Sequence, residues 1–296
     1  MDYKGALYNK IIIIGFGSII DKVIRHIDSL ADIYKYDYEY VEYERHPFNR
    51  AYSYIGKKNI KHTIIEDKSE LKSYLRSRGT GKTLIVSASN NYLFPADLLE
   101  ADYITVINFH NSLLPRYPGR NAASWEIYYN EEMTGITWHY VNAGIDSGDI
   151  IIQKSMNIPW NIRAYELIAK QMDLAGDAFE ECFELVLTGT AKTIRQQIDP
   201  ERHIYKAREV PGNGFFDLSY DPYEIYRILR SMDYGKIRLF PKPQTVFEGH
   251  RVYIERYKII NDEGIYDDMD NTIKIPMEEK KYLIMVFSRI ETSNIP

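Results

Sequence analysis

The sequence predicts an α/β fold: a mostly parallel sheet with helices on both faces, followed by a small β-rich domain. Three observations carry that prediction. Residues 11–14 are four consecutive isoleucines, and an unbroken β-branched run without polar alternation reads as a strand buried on both faces. Strand-like and helix-like periods then alternate, which short connections satisfy only with parallel strands and crossover helices. After about residue 195 the pattern changes to short strands broken by Gly, Asn and Asp, so we divide the chain into domains 1–195 and 196–296.

The elements follow in order. The strand at 11–14 ends at Gly15-Phe16-Gly17-Ser18 and turns into a helix whose apolar stripe is Ile19, Ile20, Val23, Ile24, Ile27 and Leu30. The two glycines begin like a dinucleotide fingerprint, but Ile20 stands where its third glycine would fall, so a tight strand-to-helix turn is the better reading. Residues 38–43 form the next strand, 69–78 a helix with Leu71, Tyr74 and Leu75 inward, and 83–88 another buried strand. A short helix at 96–99 precedes a strand at 104–109 that delivers Asn108 and His110 to its carboxyl end. His139 lies on an apolar strand after a helix ending near Glu132. Residues 163–187 repeat apolar side chains at three and four, from Leu167 to Val186, and form a long helix closed by Thr188-Gly189-Thr190. The polar stretch 195–208 reads as a connector.

Asp221-Pro222-Tyr223-Glu224 combines an N-cap, a proline at the first helical position and a capping-box acid. Strands follow at 245–248, 252–260, 272–275 and 282–290. The amino-terminal part is thus Rossmann-like, and ligands gather at the carboxyl ends of its strands.

Composition narrows the function. A chain of 296 residues, 45% hydrophobic, buries at least one full core. Its net charge of -5 argues against a nucleic-acid partner, which calls for a dense basic face. The single Cys182 excludes an internal disulfide and a thiolate metal site and fits a reducing compartment, so a cytoplasmic location is expected. The apolar run at 11–14 is far shorter than the roughly 20 residues that cross a bilayer, so no membrane association is expected. His26, His46, His62, His203 and His250 lack ligand-like spacing, and no metal is expected.

Asn108 and His110, separated by one residue on a strand, project from the same face. The segment from Ser112 to Gly119 is too rich in Pro and Gly to continue that strand and forms a loop beside it. Asp146 lies in a Gly-bounded loop where packing alone does not call for a carboxylate. An amide, an imidazole and a carboxylate are the groups that acyl transfer to an amine requires, because negative charge builds on a carbonyl oxygen while the attacking nitrogen loses protons. His139 reads as a supporting residue.

Asn-x-His-x-Ser-Leu-Leu-Pro at 108–115, Tyr117-Pro118-Gly119, Gly-x-Thr-x-His at 135–139 and Asp-x-Gly-Asp at 146–149 occur together in this order. In this the chain resembles the 10-formyltetrahydrofolate-dependent formyltransferases, among them glycinamide ribonucleotide transformylase, methionyl-tRNA formyltransferase and the sugar N-formyltransferases. Close similarity runs over residues 84–153, looser similarity over the rest of 10–195, and the last hundred residues match only faintly. The resemblance implies that residues 1–195 are the catalytic domain and that Asn108, His110 and Asp146 are the catalytic trio. Asn108 would stabilise the oxyanion, His110 would take a proton from the amine, and Asp146 would orient the imidazole. It further implies 10-formyltetrahydrofolate as cosubstrate, held by Asn90, Tyr92, Leu93, Phe94, Val141, Asn142, Gly144 and Asp146, with no metal. Thr137 matches a small hydroxyl position near the site, while Asn111 departs from the family's usual Pro or Ala and points to a different acceptor environment.

The acceptor is argued from charge as well as resemblance. From residue 196 onward there are 17 acidic and 15 basic residues, a net of -2, which does not attract tRNA. The stretches 120–126 and 137–139 look closer to sugar and other small-amine members than to the purine enzyme, and the leading expectation for the acceptor is the primary amine of a nucleotide-linked amino sugar. Arg116, Tyr117, Arg120 and Trp125 are the expected substrate-binding residues. The alternatives are an amino acid derivative, free or carrier-bound, a methionyl-tRNA acceptor, and a degenerate folate-binding regulator without turnover. The β-rich part also reads as a binding or dimerisation module, compatible with a homodimer.

Overall fold

The four isoleucines are fully buried in β1 (Lys10–Gly15), the middle of the amino-terminal half. In this computed structural model, residues 5–45, 51–77, 81–261 and 271–289 are described. After β1 come α1 (Ser18–Tyr34), β2 (Asp37–Tyr43), α2 (Tyr52–Lys58), β3 (His62–Ile65), α3 (Lys68–Ser77), β4 (Thr83–Ala88), α4 (Ala96–Leu99) and β5 (Ile104–His110). They are followed by α5 (Ala122–Tyr128), β6 (Met133–Tyr140), β7 (Ile150–Asn157), α6 (Ala164–Leu187), α7 (Pro222–Ser231), β8 (Gln244–Phe247), β9 (His250–Ile260), β10 (Thr272–Pro276) and β11 (Tyr282–Arg289).

The chain divides into two compact units. One holds Met1–Arg120, Met133–Met156 and Ile168–Tyr205; the other holds Asn121–Glu132, Asn157–Leu167 and Lys206–Pro296.

In the first unit seven strands form one sheet in the order β3-β2-β1-β4-β5-β6-β7. β1 is parallel to β2 and β4, β2 to β3, and β4 to β5, whereas β5 and β6 are antiparallel. Alternate residues feed two cores: Ile11, Ile13, Leu84, Val86, Ile107 and Trp138 pack with α1 and α6 on one face, and Ile12, Ile14, Ile85 and Val106 pack with α3 and α4 on the other. Strand order reverses between β1 and β4, which opens a crevice at the carboxyl ends of β1, β4 and β5. Gly15 makes the turn there possible: its φ is 145°, and a Cβ on it would stand 1.8 Å from the Ala88 carbonyl oxygen.

Three elements carry little sequence signal. α2 buries only Ile55, β3 is four residues long, and β7 is half-exposed along most of its length, so none shows the periodicity that marks its neighbours. β5 also runs one residue further than its apolar pattern, to His110. The predicted elements reaching Arg78 and Ile290 extend there outside the described residues, as does His46.

The second unit contains α5, α7 and a four-stranded sheet ordered β10-β11-β9-β8, antiparallel throughout. Ile225 and Leu229 of α7 pack on Val252, Ile254, Leu283 and Met285. The Asp221 carboxylate accepts the Tyr223 N–H at 2.8 Å, as an N-cap should. Glu224 departs from the capping-box expectation and stands 3.8 Å from Arg227, one turn along, where the charges attract.

Candidate functional site

The centre of the site is a row of three side chains across adjacent strands. Ser87 on β4 is the register partner of Asn108 on β5, and Asn108 is the register partner of His139 on β6. Register partners on one face come close enough to bond. The Ser87 hydroxyl donates to Asn108 Oδ1 at 2.7 Å, and Asn108 Nδ2 lies 3.2 Å from His139 Nε2. His139 is almost wholly buried, and burial pushes its imidazole down to about 4 against the pull of Asp146 and of a hydrogen bond to the Tyr140 carbonyl. The ring is therefore neutral near pH 7. Its Nδ1–H donates to that carbonyl at 2.8 Å, which leaves Nε2 to accept one Asn108 N–H. Both ends of the Asn108 amide are thereby fixed, and the second Nδ2 hydrogen is uncommitted to this row.

His110 ends β5, buried, with an oxygen against each ring nitrogen: the Tyr117 carbonyl at 2.8 Å from Nε2 and Asp146 Oδ2 at 3.4 Å from Nδ1. Asp146 also faces His139 Nε2 at 3.6 Å and accepts the Gly119 N–H at 2.7 Å. Burial works against its charge. His110, His139, the Gly119 N–H and Arg202 together outweigh that effect and hold the carboxyl below its usual range. Asn108, His110 and Asp146 are thus drawn together, with His139 touching two of them.

The loop after His110 is held from beneath. Thr137 Oγ1 donates to the Ser112 carbonyl at 2.7 Å and accepts the Leu114 N–H at 3.1 Å, while Gln153 donates to both Leu114 O and Thr137 Oγ1 at 2.9 Å. On the other side of the crevice Asn90 forms a turn that accepts the Tyr92 N–H at 2.9 Å. Tyr92 and Phe94 pack edge to face, with Val141 against the same apolar cluster. Leu93 is 60% exposed. Asn142 Oδ1 accepts the Gly144 N–H at 3.0 Å and so shapes the loop leading to Asp146.

Of the expected substrate-binding residues, Arg120 binds Asn91 Oδ1 at 2.8 Å, Arg116 lies over the Tyr117 ring, and Tyr117 stacks on Tyr205. Trp125 is in the other unit, buried, stacked on Tyr129 and edge-on to Tyr128. Among the described residues no group of three or more His, Cys, Asp or Glu side chains could hold a metal. Nor is any helix long and apolar enough to cross a membrane.

Residues 45–181 match the model of the formyl transferase family, and the site lies inside that match. That match covers a little under half of the chain, and over it the sequence is similar to the formyl transferases. Among curated sequences, the chain is 28% identical over 184 residues to the methionyl-tRNA formyltransferase of Clostridioides difficile, covering 62% of this chain and 57% of that one. It is 29% identical over 180 residues to that of Alkaliphilus oremlandii, covering 61% and 56%. The chain spans about half the length of the curated relatives it matches.

Among solved structures, the fold is similar to that of the N-formyltransferase from Helicobacter canadensis in complex with folinic acid and dTDP-3-aminofucose. That pair has a TM-score of 0.68 and 16% identity over 94% of this chain and 99% of the other. WlaRD, a sugar 3N-formyl transferase with dTDP and 5-N-formyl-THF, gives 0.67 and 16% over 98% and 100%. A 4-N formyltransferase from Francisella tularensis gives 0.63 and 21% over 83% and 96%.

Sequence reasoning missed two supports of this candidate site. Ser87 looked like the end of a buried strand, and only the register reveals its bond to Asn108. Gln171 is fully buried on α6, where it donates to the Asn111 carbonyl at 2.9 Å and to Thr134 Oγ1 at 2.7 Å. A signal for Gln171 existed. It stands three residues after Ile168 and four after Leu167, so a polar side chain interrupts the apolar stripe.

Proposed function

We propose that this formyltransferase moves a formyl group from 10-formyltetrahydrofolate to the primary amine of a nucleotide-linked amino sugar. The observation that carries the reading is the convergence of Asn108, His110 and Asp146, each held by its own partners, at the mouth of the crevice. The amine nitrogen attacks the formyl carbon, and the carbonyl electron pair moves to oxygen. Asn108 donates its uncommitted Nδ2–H to that oxyanion. A positioned donor of this kind contributes on the order of 3 kcal/mol to the transition state. The nitrogen then sheds a proton to the coupled His110–Asp146 pair. A ring facing one carbonyl and one carboxylate is well placed to hold a proton on both nitrogens. The bond from the formyl carbon to the folate nitrogen breaks as the electron pair returns from oxygen, and that nitrogen leaves with the proton.

Tyr92, Phe94, Val141 and the loop at 142–146 would bind the folate, with Asn90 and Asn142 fixing the main chain on either side. Arg116, Tyr117 and Arg120 remain the proposed contacts for the nucleotide-linked acceptor. Two considerations support a sugar acceptor: the fold likeness to an N-formyltransferase solved with dTDP-3-aminofucose and to a sugar 3N-formyl transferase runs over 94% and 98% of the chain, and residues 196–296 carry a net charge of -2. The curated relatives' names favour methionyl-tRNA as the second reading. The test is a panel of acceptors (nucleotide-linked amino sugars, amino acids and charged initiator tRNA) incubated with 10-formyltetrahydrofolate and read by mass spectrometry for one added CO. Formylation of tRNA alone would replace the sugar reading, and no formylation of any amine would remove both.

A further inference from the structure

The polar stretch read as a connector does more than connect. Gln196 Nε2 donates to the carbonyls of Gly148 at 2.7 Å and Asp146 at 3.2 Å. Arg202 Nη2 donates to the Ile145 carbonyl at 2.6 Å and lies 3.5 Å from that of Asp146. Two residues on from His203, Tyr205 pairs with the opposite flank: its N–H donates to the Pro118 carbonyl at 3.0 Å, and its carbonyl accepts the Arg120 N–H at 2.9 Å. A Cβ on Gly119, whose φ is 96°, would stand 2.2 Å from the Tyr205 oxygen, so Gly119 is the residue type that lets this backbone lie so close. The segment therefore bonds both the loop bearing Asp146 and the loop whose Gly119 N–H and Tyr117 carbonyl hold Asp146 and His110.

Of the side chains that make this strap's bonds, Gln196 and Arg202, the second is the charged one. Asp146 has a φ of 44°, a conformation that a non-glycine residue keeps only when its surroundings impose it. The carbonyls on either side of that backbone unit are those Arg202 reaches. Its other terminal nitrogen, Nη1, is buried without an acceptor, an arrangement that costs stability and so points to a use other than stability.

We propose that Arg202 is a positioning residue for the proposed formyl transfer, fixing the loop geometry and charge of Asp146 from outside the sequence motif. The groups facing Asp146 are His110 from β5, His139 from β6, the Gly119 N–H from the preceding loop and Arg202 from the strap. Arg202 is the guanidinium of that set and the member that lies outside the sequence motif.

The inference rests on the formyltransferase reading but is tested partly without it. With the Asp146 carboxyl carbon observed by NMR in substrate-free protein, Arg202→Gln should move its titration midpoint upward and Arg202→Lys should return it most of the way. In turnover, Arg202→Gln should lower kcat by about 10- to 100-fold with KM for the amine little changed, the loss expected of a reacting group displaced by about an ångström. Its acid limb should move in the same direction as the NMR midpoint, and guanidinium in the buffer should restore part of the rate to Arg202→Ala. An unmoved midpoint in Arg202→Gln overturns the proposal whatever the kinetics show. So does a rate loss that neither lysine nor guanidinium relieves. If the wild-type protein formylates no amine, the function falls while the midpoint still decides the role of Arg202.

Discussion

Two largely enclosed carboxylates, one on a strand of the first sheet and one in a loop at its edge, are held by different partners. Glu39, on β2, has a fully buried side chain, with Lys61 Nζ at 2.5 Å, Tyr74 Oη at 2.7 Å and Lys10 Nζ at 3.3 Å. Asp146 is met by two imidazoles and a main-chain N–H. Burial pushes both carboxyls up, and in both their partners win and hold the carboxyl low. The difference lies in those partners. Two ammonium groups and a phenol surround Glu39, so it is locked as a structural anion. Asp146 instead faces imidazoles, whose ring nitrogens can either donate or accept a hydrogen bond, beside an amide with a hydrogen to spare. A depressed carboxyl is therefore no mark of a working site by itself; the chemistry of its partners is.

The sharpest way to break the comparison is to neutralise each carboxylate. Asp146→Asn should lower kcat by about 10²- to 10⁴-fold, the range for losing a proton-transfer group, with little change in the urea unfolding midpoint. Glu39→Gln should do the reverse, costing about 1–3 kcal/mol of stability and leaving turnover within a few fold. The cost is below that of a wholly buried pair because Lys61 is 48% exposed. Comparable kinetic damage in both variants would erase the distinction. Asn108→Ala comes next, with about a 10²- to 10³-fold loss in kcat and a smaller effect on KM, since its free N–H is assigned to charge that exists only in the transition state.

The parts of this contrast were unequally legible. That Asn108, His110 and Asp146 would come together could be read because they stand in short motifs bounded by Pro and Gly, and the alternation on β5 placed two of them on one face. The sheet was legible because Ile11 to Ile14 and Thr83 to Ala88 are too apolar to lie anywhere but inside. What could not be read was lateral. Whether Ser87 or some other strand residue lies beside Asn108 depends on register, which is fixed by packing across the sheet rather than by local sequence. The same holds for Glu39, which looked like one polar residue in the strand Asp37–Tyr43 until Lys61 and Tyr74 came to it from elsewhere. Residues 195–208 looked like a connector because their bonds run to loops about 50 and 85 positions earlier, and such distant bonds leave no periodic trace.

His139 supplies a pH-dependent test of the same network. Its folded-state value is about 4, against an ordinary value of about 6.5 in the unfolded chain. Between those limits the unfolded chain binds a proton that the folded one refuses, so stability falls as pH falls through this window, by at most about 1.4 kcal/mol per pH unit. Burial also lowers His26 and His62, so the readout is the difference between wild type and His139→Gln in urea unfolding at several values from pH 7 to pH 4.5. The variant should have the flatter profile. Parallel profiles would mean that His139 is not held neutral and does not accept the Asn108 N–H.

The smallest expected effect probes how the amide is oriented. Ser87→Ala removes the donor to Asn108 Oδ1, and one hydrogen bond of this kind is worth about 0.5–1.5 kcal/mol, or about 2- to 10-fold in rate. The loss stays small because His139 Nε2 still selects the nitrogen end of the amide. His139→Ala alone should likewise leave Ser87 to select the oxygen end. With both removed, nothing in the row distinguishes the two ends, and a flipped amide would turn its oxygen toward the developing negative charge. The double variant should therefore lose more in kcat than the product of the single losses. A double loss equal to that product would mean that the two residues act separately and that the orientation of Asn108 is not what they share.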